Sequence, residues 1–81
     1  MNLVVTGSSF GIGHALAERL LAHGHTVWGL ARSEQTGLRT RHPSTFFASR
    51  CDVSDWAEVS KTVAEITQRW PAIDGLVTCA G

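Results

Sequence analysis

The sequence predicts an α/β fold: the N-terminal half of a doubly wound parallel sheet, with four strands in the order 3-2-1-4 and two to three helices. Two observations predict it. Strand-like apolar segments alternate with helical or helix-like segments along the 81 residues, which implies parallel strands joined by right-handed crossovers. A turn rich in glycine directly follows the first strand, which fits the first half of such a sheet.

The first strand and the first helix enclose that turn. The apolar run Leu3-Val4-Val5 predicts the strand, and residues 6–13, here called the glycine turn, follow it with the sequence Thr-Gly-Ser-Ser-Phe-Gly-Ile-Gly. Apolar residues then recur at helical spacing between residues 12 and 23, at Ile12, Ala15, Leu16 and Leu20. Gly24 supplies a helix stop.

The next two strands are short. Residues 25–31 are mostly apolar, too short for a stable helix and closed by Arg32, which indicates a buried second strand. Residues 34–41 carry little periodicity and precede Pro43, so we expect a short helix followed by a loop. Residues 45–51 restore β character as a third strand, and Ser54 or Asp55 can cap the helix that follows.

The third helix is the clearest periodic element. Until Pro71 ends it, its apolar residues follow one another at steps of three and four and form one stripe: Trp56, Val59, Val63, Ile66 and Trp70. We predict that this stripe packs in the core against one face of the sheet. Residues 73–79 then form a fourth strand, whose carboxyl end meets that of the first strand where the strand order reverses.

Composition excludes several function classes. Seven basic residues balance seven acidic ones, so no electrostatic footprint for nucleic acid or an anionic membrane stands out. Met1 runs straight into the first strand without a basic n-region, a long apolar h-region or a cleavage site, and no apolar run approaches the roughly 20 residues that span a bilayer. We therefore expect a soluble, cytoplasmic protein with neither nucleic acid nor a membrane as its partner.

The cysteines and histidines point to structural roles. Cys51 and Cys79 lie in apolar, strand-like settings, where buried thiols are expected rather than a disulfide. The four histidines lack the spacing of a metal site, because no cysteine or acid accompanies them at ligand distance along the chain: His14, His23, His25 and His42. No metal ligand is therefore assigned.

The glycine turn itself indicates phosphate binding. Glycine takes positive φ readily and lets a ligand approach the backbone without a Cβ in the way. The free N–H groups that open the next helix favour an anion, so the chemistry implied is nucleotide binding. The alternative is that Gly7 only turns the chain and Gly13 only lets the helix pack closely, and both interpretations can hold together.

The motif Thr-Gly-x-x-x-Gly-Ile-Gly resembles the cofactor motif of the classical short-chain dehydrogenase/reductase family, which binds nicotinamide dinucleotides in a Rossmann-type fold. Its glycine spacing differs from the Gly-x-Gly-x-x-Gly of many other dinucleotide enzymes. The resemblance implies that residues 1–81 are a partial NAD(P)-binding domain. It also implies that the glycine turn contacts the cofactor, through Thr6, Gly7, Ser8, Ser9, Phe10, Gly11, Ile12 and Gly13. Phe10 departs from the family pattern, since small or polar residues are usual there.

Two further segments resemble the family. Asp52-Val53 looks like the pair that contacts adenine, although capping or turn chemistry explains an Asp just before a helix equally well. Residues 78–81 look like the family's Asn-Asn-Ala-Gly segment, with Thr and Cys replacing the two asparagines. Only Ala80 and Gly81 therefore carry over as cofactor contacts.

The end of the second strand favours NADP over NAD. Sites that prefer NAD place a carboxylate there to accept from the ribose 2′-OH, whereas NADP sites offer Arg to the 2′-phosphate. Residues 30–33 contain no acid, Arg32 can hold a phosphate bidentately, and Ser33 is a second donor. The alternative is that Arg32 is a solvated charge at the strand end.

The resemblance implies hydride transfer between nicotinamide and a carbonyl or alcohol carbon, with a tyrosine as general acid/base, a lysine four residues after it and a serine. The sequence has no tyrosine, and its one lysine, Lys61, lies on the third helix, so no catalytic residue is assigned. We expect the NADP(H)-binding N-terminal portion of an oxidoreductase. The 81-residue chain is expected to be inactive alone, with a small-molecule carbonyl or alcohol substrate in the complete protein.

An alternative from another class is a non-catalytic nucleotide-binding or interaction module. The outer edge of the fourth strand would then pair with another chain to complete the sheet. A second copy of the same chain is one such partner, which would give a homo-oligomer. The sequence does not select the substrate, because fatty acyl, steroid, sugar and aromatic ketones stay equally open.

Overall fold

The structure is a computed structural model that describes residues 1–8, 11–33 and 35–79, and its strands form one parallel sheet. The elements are β1 (Asn2–Thr6), α1 (Gly11–Ala22), β2 (Thr26–Ala31), α2 (Thr36–Arg41), β3 (Phe46–Arg50), α3 (Trp56–Arg69) and β4 (Gly75–Thr78). The strands are ordered β3-β2-β1-β4, which confirms the predicted order. In the centre of the sheet, Val5 of β1 lies opposite Gly29 of β2 and Val77 of β4.

Side-chain and backbone caps fix the helix ends. At the end of α1, Gly24 has a φ of 87°, its N–H donates to the Leu21 carbonyl (3.1 Å), and the His25 N–H donates to the Leu20 carbonyl (3.1 Å). This is the hydrogen-bond pattern of a Schellman cap, and Gly24 ends the helix as predicted. At the start of α3, Asp55 rather than Ser54 is the cap, because its carboxylate accepts from the N–H groups of residues 57 and 58.

The sheet is buried on both faces by two separate clusters. On the α3 face the buried residues are Val4, Trp28, Leu30, Cys51, Ile66 and Trp70. On the face covered by α1 and α2 they are Val5, Ala17, Leu21, Val27, Leu38 and Phe46. Neighbouring strand residues such as Val4 and Val5 belong to opposite clusters, because successive side chains of a strand point to opposite faces.

The predicted core stripe of α3 is only half correct. Ile66 and Trp70 are buried, but the side chain of Trp56 is 79% exposed and that of Val63 is 45% exposed. At about 100° per residue, Val63 lies about 60° and Trp56 about 80° around the helix from Ile66. The line that meets the sheet instead includes Thr62, which is buried. Helical spacing therefore predicted the helix but not which of its residues face the sheet.

The buried face of α1 also differs from its predicted apolar positions. The buried residues are Gly13, Ala17 and Leu21, at steps of four, whereas Ile12 is 82% exposed. Two of these buried residues, Gly13 and Ala17, are small, which lets the helix come close to the sheet. The large apolar side chains of α1 therefore did not predict which face is buried.

Both cysteines carry free thiols, as predicted. Cys51 is buried in the cluster on the α3 face, and Cys79 is half-buried after β4. Among residues 1–8, 11–33 and 35–79, no helix is long and apolar enough to cross a membrane.

Candidate functional site

The glycine turn leaves β1 with the backbone conformation that its glycines predicted. Gly7 has a φ of 71° and Gly11 a φ of 64°, a region that residues with a Cβ rarely adopt. The Gly7 N–H donates to the Leu30 carbonyl (2.8 Å), which ties the turn to β2. Two predicted cofactor contacts of the turn, Ser9 and Phe10, lie outside the described residues.

Gly13 lets the first turn of α1 lie directly against the glycine turn. A Cβ on Gly13 would stand 2.7 Å from the Gly7 carbonyl carbon and 3.2 Å from the Cys79 Cβ. Backbone atoms cannot move aside as a flexible side chain can, so any larger residue would push the start of α1 away from the turn. The close-packing interpretation of Gly13 is therefore correct, whatever the turn binds.

The carboxyl ends of β1 and β4 meet beside the glycine turn. Thr6 and Thr78 are opposite one another in the register of the two strands. The Cys79 N–H donates to both the Thr6 carbonyl (3.1 Å) and the Thr6 Oγ1 (3.3 Å), which holds the two strand ends together. The strand order reverses between β1 and β4, and ligands of doubly wound sheets bind at such a point. Ala80 and Gly81, which follow directly, lie outside the described residues.

The other predicted site residues follow the remaining two strands at the same edge. Arg32 and Ser33 come directly after β2, and both side chains are exposed. Asp52 and Val53 follow β3, with Asp52 half-buried and Val53 42% exposed. Because carboxyl ends of parallel strands share one edge, the fold brings the predicted contacts onto one side of the molecule.

Asp52 is held by the turn that follows β3. Its Oδ1 accepts from the Ser54 hydroxyl (2.6 Å) and from the Ser54 N–H (3.0 Å). These hydrogen bonds, and to a smaller extent the charge of Arg32, lower the pKa of Asp52 below its ordinary value of 3.8. Arg32, an exposed cation, and Asp52 both lie just beyond the ends of neighbouring strands, β2 and β3. The turn interpretation of Asp52 is thus observed, and its contact with adenine stays a prediction.

One buried residue beside the site was not found from the sequence. Gln35 immediately precedes α2 and is 7% exposed; its side chain accepts from the Ser8 hydroxyl and donates to the Gly29 carbonyl (3.2 Å). Residues 34–41 gave no periodicity that would mark a buried polar side chain. The available signal was Gly29, since a glycine inside a strand indicates close approach of another group.

Three of the histidines have polar contacts. His14 Nε2 lies 3.5 Å from Glu18, His23 Nδ1 lies 2.9 Å from the Arg19 carbonyl, and His25 Nδ1 lies 3.3 Å from the N-terminal amine. In the part of the chain that the structure describes, no group of three His, Cys, Asp or Glu side chains could hold a metal ion.

One cavity lies away from the glycine turn. It has a volume of about 840 Å³ and opens at the outer edge of β3, where Arg39 of α2 and Arg69 of α3 line its sides. Arg69 stands 4.8 Å above the centre of the Phe47 ring. Because the glycine turn and the ends of β1 and β4 are absent from its walls, the cavity is not part of the candidate site.

Comparison with known proteins links this geometry to one family. The family model for short chain dehydrogenases matches residues 1–81. Sorbitol-6-phosphate 2-dehydrogenase from Klebsiella pneumoniae is 37% identical over 79 residues, which cover 98% of this chain and 29% of that protein. NADPH-dependent 3-dehydrocapnine reductase from Ornithobacterium rhinotracheale is 40% identical over 65 residues, which cover 78% of this chain and 23% of that protein.

A solved structure agrees with the sequence comparisons. A short-chain dehydrogenase from Streptomyces avermitilis superposes with a TM-score of 0.87 at 34% identity, covering 93% of this chain and 29% of the solved one. The chain thus spans less than a third of the length of each of these three proteins.

Proposed function

The chain belongs to the short-chain dehydrogenase family, and from this premise we propose that residues 1–81 are the NADP(H)-binding portion of an oxidoreductase. In the whole protein, the nicotinamide would exchange hydride with a carbonyl or alcohol carbon of a small-molecule substrate. The observation that carries the proposal is the position of the glycine turn, which leaves β1 beside the point where the strand order reverses.

The pyrophosphate of the cofactor is proposed to lie against the glycine turn and the first turn of α1. Positive φ at Gly7 and Gly11 turns the backbone without a Cβ on the ligand side. Gly13 keeps the start of α1 against that backbone, so the free N–H groups and the positive end of the helix dipole face the same anion. These features support a cradle of the kind that a dinucleotide phosphate requires.

The 2′-phosphate of NADP(H) is proposed to bind Arg32 and Ser33. Both are exposed at the end of β2, where a guanidinium can hold phosphate through two parallel hydrogen bonds. The NADPH dependence in the name of the 3-dehydrocapnine reductase supports NADP over NAD for this chain. Asp52, whose lowered pKa keeps it ionised into more acidic solution than an ordinary Asp, is proposed to accept from the adenine amino group beside Val53.

The bound cofactor supplies the hydride, and the residues of this chain bind and orient it. We propose no proton donor within the 81 residues, because they contain no tyrosine and Lys61 is exposed on α3, away from the glycine turn. The expected activity of the 81-residue chain alone is cofactor binding without carbonyl reduction.

Titration calorimetry with NADPH tests this function, and two helical glycines give a matched pair of variants. Gly13→Ala adds a Cβ that meets the Gly7 backbone, whereas Gly37→Ala in α2 adds one with nothing within 4 Å. We expect wild type and Gly37→Ala to bind NADPH equally. Gly13→Ala is expected to weaken binding by about tenfold or more, because the start of α1 must shift.

Far-UV circular dichroism of the three proteins separates a shifted site from a lost fold. If wild type fails to bind NADPH while its circular dichroism shows a folded protein, the proposed function is wrong. If Gly13→Ala is folded and binds as wild type does, the glycine turn does not hold the cofactor.

A second function, a module that pairs with another chain, is favoured by the surface of β4. Leu76 is 63% exposed, and Ile73 just before the strand is 40% exposed. In the described part of the chain, β4 has β1 as its one neighbour in the sheet, so its outer edge carries free backbone groups. Such an edge can add a strand from a partner.

A further inference from the structure

A buried polar contact joins the glycine turn to β2 and to the start of α2. The Ser8 side chain is fully buried and its hydroxyl donates to the Gln35 carboxamide oxygen. The Gln35 amide nitrogen donates to the Gly29 carbonyl (3.2 Å). Both ends of the carboxamide are thus used, and no buried side-chain nitrogen or oxygen of the described residues lacks a partner.

Gly29 provides the space for this contact. A Cβ at position 29 would lie 2.6 Å from Gln35 Oε1 and 2.9 Å from Phe46 Cζ, and still closer to the Ser8 hydroxyl. A glycine in a strand interior is destabilising relative to alanine. Here the missing side chain makes room for a polar group, where an apolar side chain would ordinarily fill the layer between sheet and helix.

The contact joins the two segments that carry the proposed phosphate-binding residues. Ser8 follows Gly7, whose φ is 71° and whose N–H donates to the Leu30 carbonyl, and Gln35 is the third residue after Arg32. The glycine turn is therefore attached to β2 twice: by the backbone at Leu30, and at Gly29 through Gln35. These two attachments set how far the turn stands from the residues that end β2.

Resting on the proposed NADP(H) site, we propose that Gln35 is a positioning residue that, through Ser8, fixes the separation between the glycine turn and Arg32. NADP(H) has two anionic groups at a fixed spacing, the pyrophosphate and the 2′-phosphate, and both must find their partners at once. NAD(H) lacks the second group and tolerates a displaced turn better. Gln35 therefore contributes to the preference for a 2′-phosphorylated dinucleotide without touching it.

The test compares NADPH and NADH binding to wild type, Gln35→Leu, Ser8→Ala and the double variant. Leu keeps most of the volume of Gln35 and removes both hydrogen bonds. We expect each single variant to raise the Kd of NADPH about fivefold to tenfold, the size of one neutral hydrogen bond, and that of NADH less than twofold. The double variant is expected to lose little more than Gln35→Leu alone, because Gln35→Leu already removes the hydrogen bond that Ser8→Ala would remove.

Thr62→Val is the matched control, since it removes a buried hydroxyl from α3 on the opposite face of the sheet. It is expected to leave the ratio of the NADPH and NADH dissociation constants unchanged. Ser8→Ala removes a single oxygen atom. Should Gln35→Leu fail to fold, the ratio of the NADPH and NADH dissociation constants of Ser8→Ala tests the same contact.

Three results would overturn the inference. If the variants weaken NADPH and NADH equally, Gln35 supports the fold and not the cofactor preference. If their losses add in the double variant, Ser8 and Gln35 act separately. If wild type binds neither cofactor, the proposed function fails and this inference fails with it. If wild type binds NADPH but the variants keep the wild-type ratio of the NADPH and NADH dissociation constants, only this inference fails.

Discussion

Asp52 illustrates how one residue can serve a turn and a proposed ligand at the same time. Its Oδ1 accepts two hydrogen bonds from Ser54, as an Asp before a helix predicts. Those bonds stabilise the charged carboxylate, which is the form that accepts from an adenine amino group. Residue type and position alone could not separate the two roles, because both require an Asp at the same place.

The lowered pKa of Asp52 makes its contribution to stability depend on pH. A carboxyl with a folded-state pKa below its unfolded one stabilises the fold above the unfolded value of 3.8, and this stabilisation is lost as pH falls through the folded pKa. We expect Asp52→Asn to lower the Tm at pH 7 and to match wild type progressively below about pH 4. A Tm difference that stays constant from pH 7 to pH 3 would contradict the charge-based account.

Gln35 marks the limit of prediction at this scale. Its partners are a turn residue 27 positions earlier, Ser8, and a mid-strand carbonyl, Gly29. Such contacts depend on how β1, β2 and α2 meet, which no local pattern encodes. Gly29 was the one visible sign, and the glycine alone does not say which group comes close.

At the scale of elements, the periodicity of α3 predicted that the helix exists but not which of its residues are buried. Steps of three and four predicted the helix, and Pro71 its end, because those features are local. The line of α3 that meets the sheet depends on the residues of β1, β2 and β3 beneath it. Trp56 lies at the edge of the apolar stripe and remains exposed, whereas Thr62 is buried.

Two tryptophans on this helix therefore differ sharply in their effect on stability. Trp70 is 6% exposed and packs edge-to-face with Trp28 at 5.2 Å between ring centroids, whereas Trp56 is 79% exposed. We expect Trp70→Ala to lower the free energy of unfolding by about 3–5 kcal/mol. Trp56→Ala should change it by at most about 0.5 kcal/mol. Urea unfolding measures both changes in the free energy of unfolding. Equal losses of stability in the two variants would show that the assignment of the α3 residues that face the sheet is wrong.

At the scale of the whole molecule, the strand order was predictable and the pattern of exposure was not. Alternating strands and helices leave few topologies when connections are right-handed, so the order β3-β2-β1-β4 followed from the sequence. The arrangement of the candidate site at one edge follows from that order. Exposure of Leu76 and Val63 could not be predicted, since it depends on what packs against β4 and α3.

The exposed edge of β4 predicts self-association of the 81-residue chain. Leu76→Lys places a charge on an edge strand, which opposes pairing with another strand. We expect the weight-average mass of wild type, measured by size-exclusion chromatography with light scattering, to rise with concentration. The mass of Leu76→Lys should rise less. Ala22→Lys adds the same charge at an exposed position on α1 and should behave as wild type does. A wild type that stays monomeric throughout would contradict this prediction.

The ratio of NADPH to NADH affinity tests whether the glycine turn and Arg32 form an NADP(H) site. Arg32→Ala is compared with Arg39→Ala, which removes an exposed guanidinium from α2 at the outer edge of β3. We predict that Arg32→Ala raises the Kd of NADPH by about tenfold to a hundredfold and that of NADH less than twofold. Arg39→Ala should change neither Kd. Equal losses of both cofactors on removing Arg32, or a wild type that prefers NADH, would contradict the account.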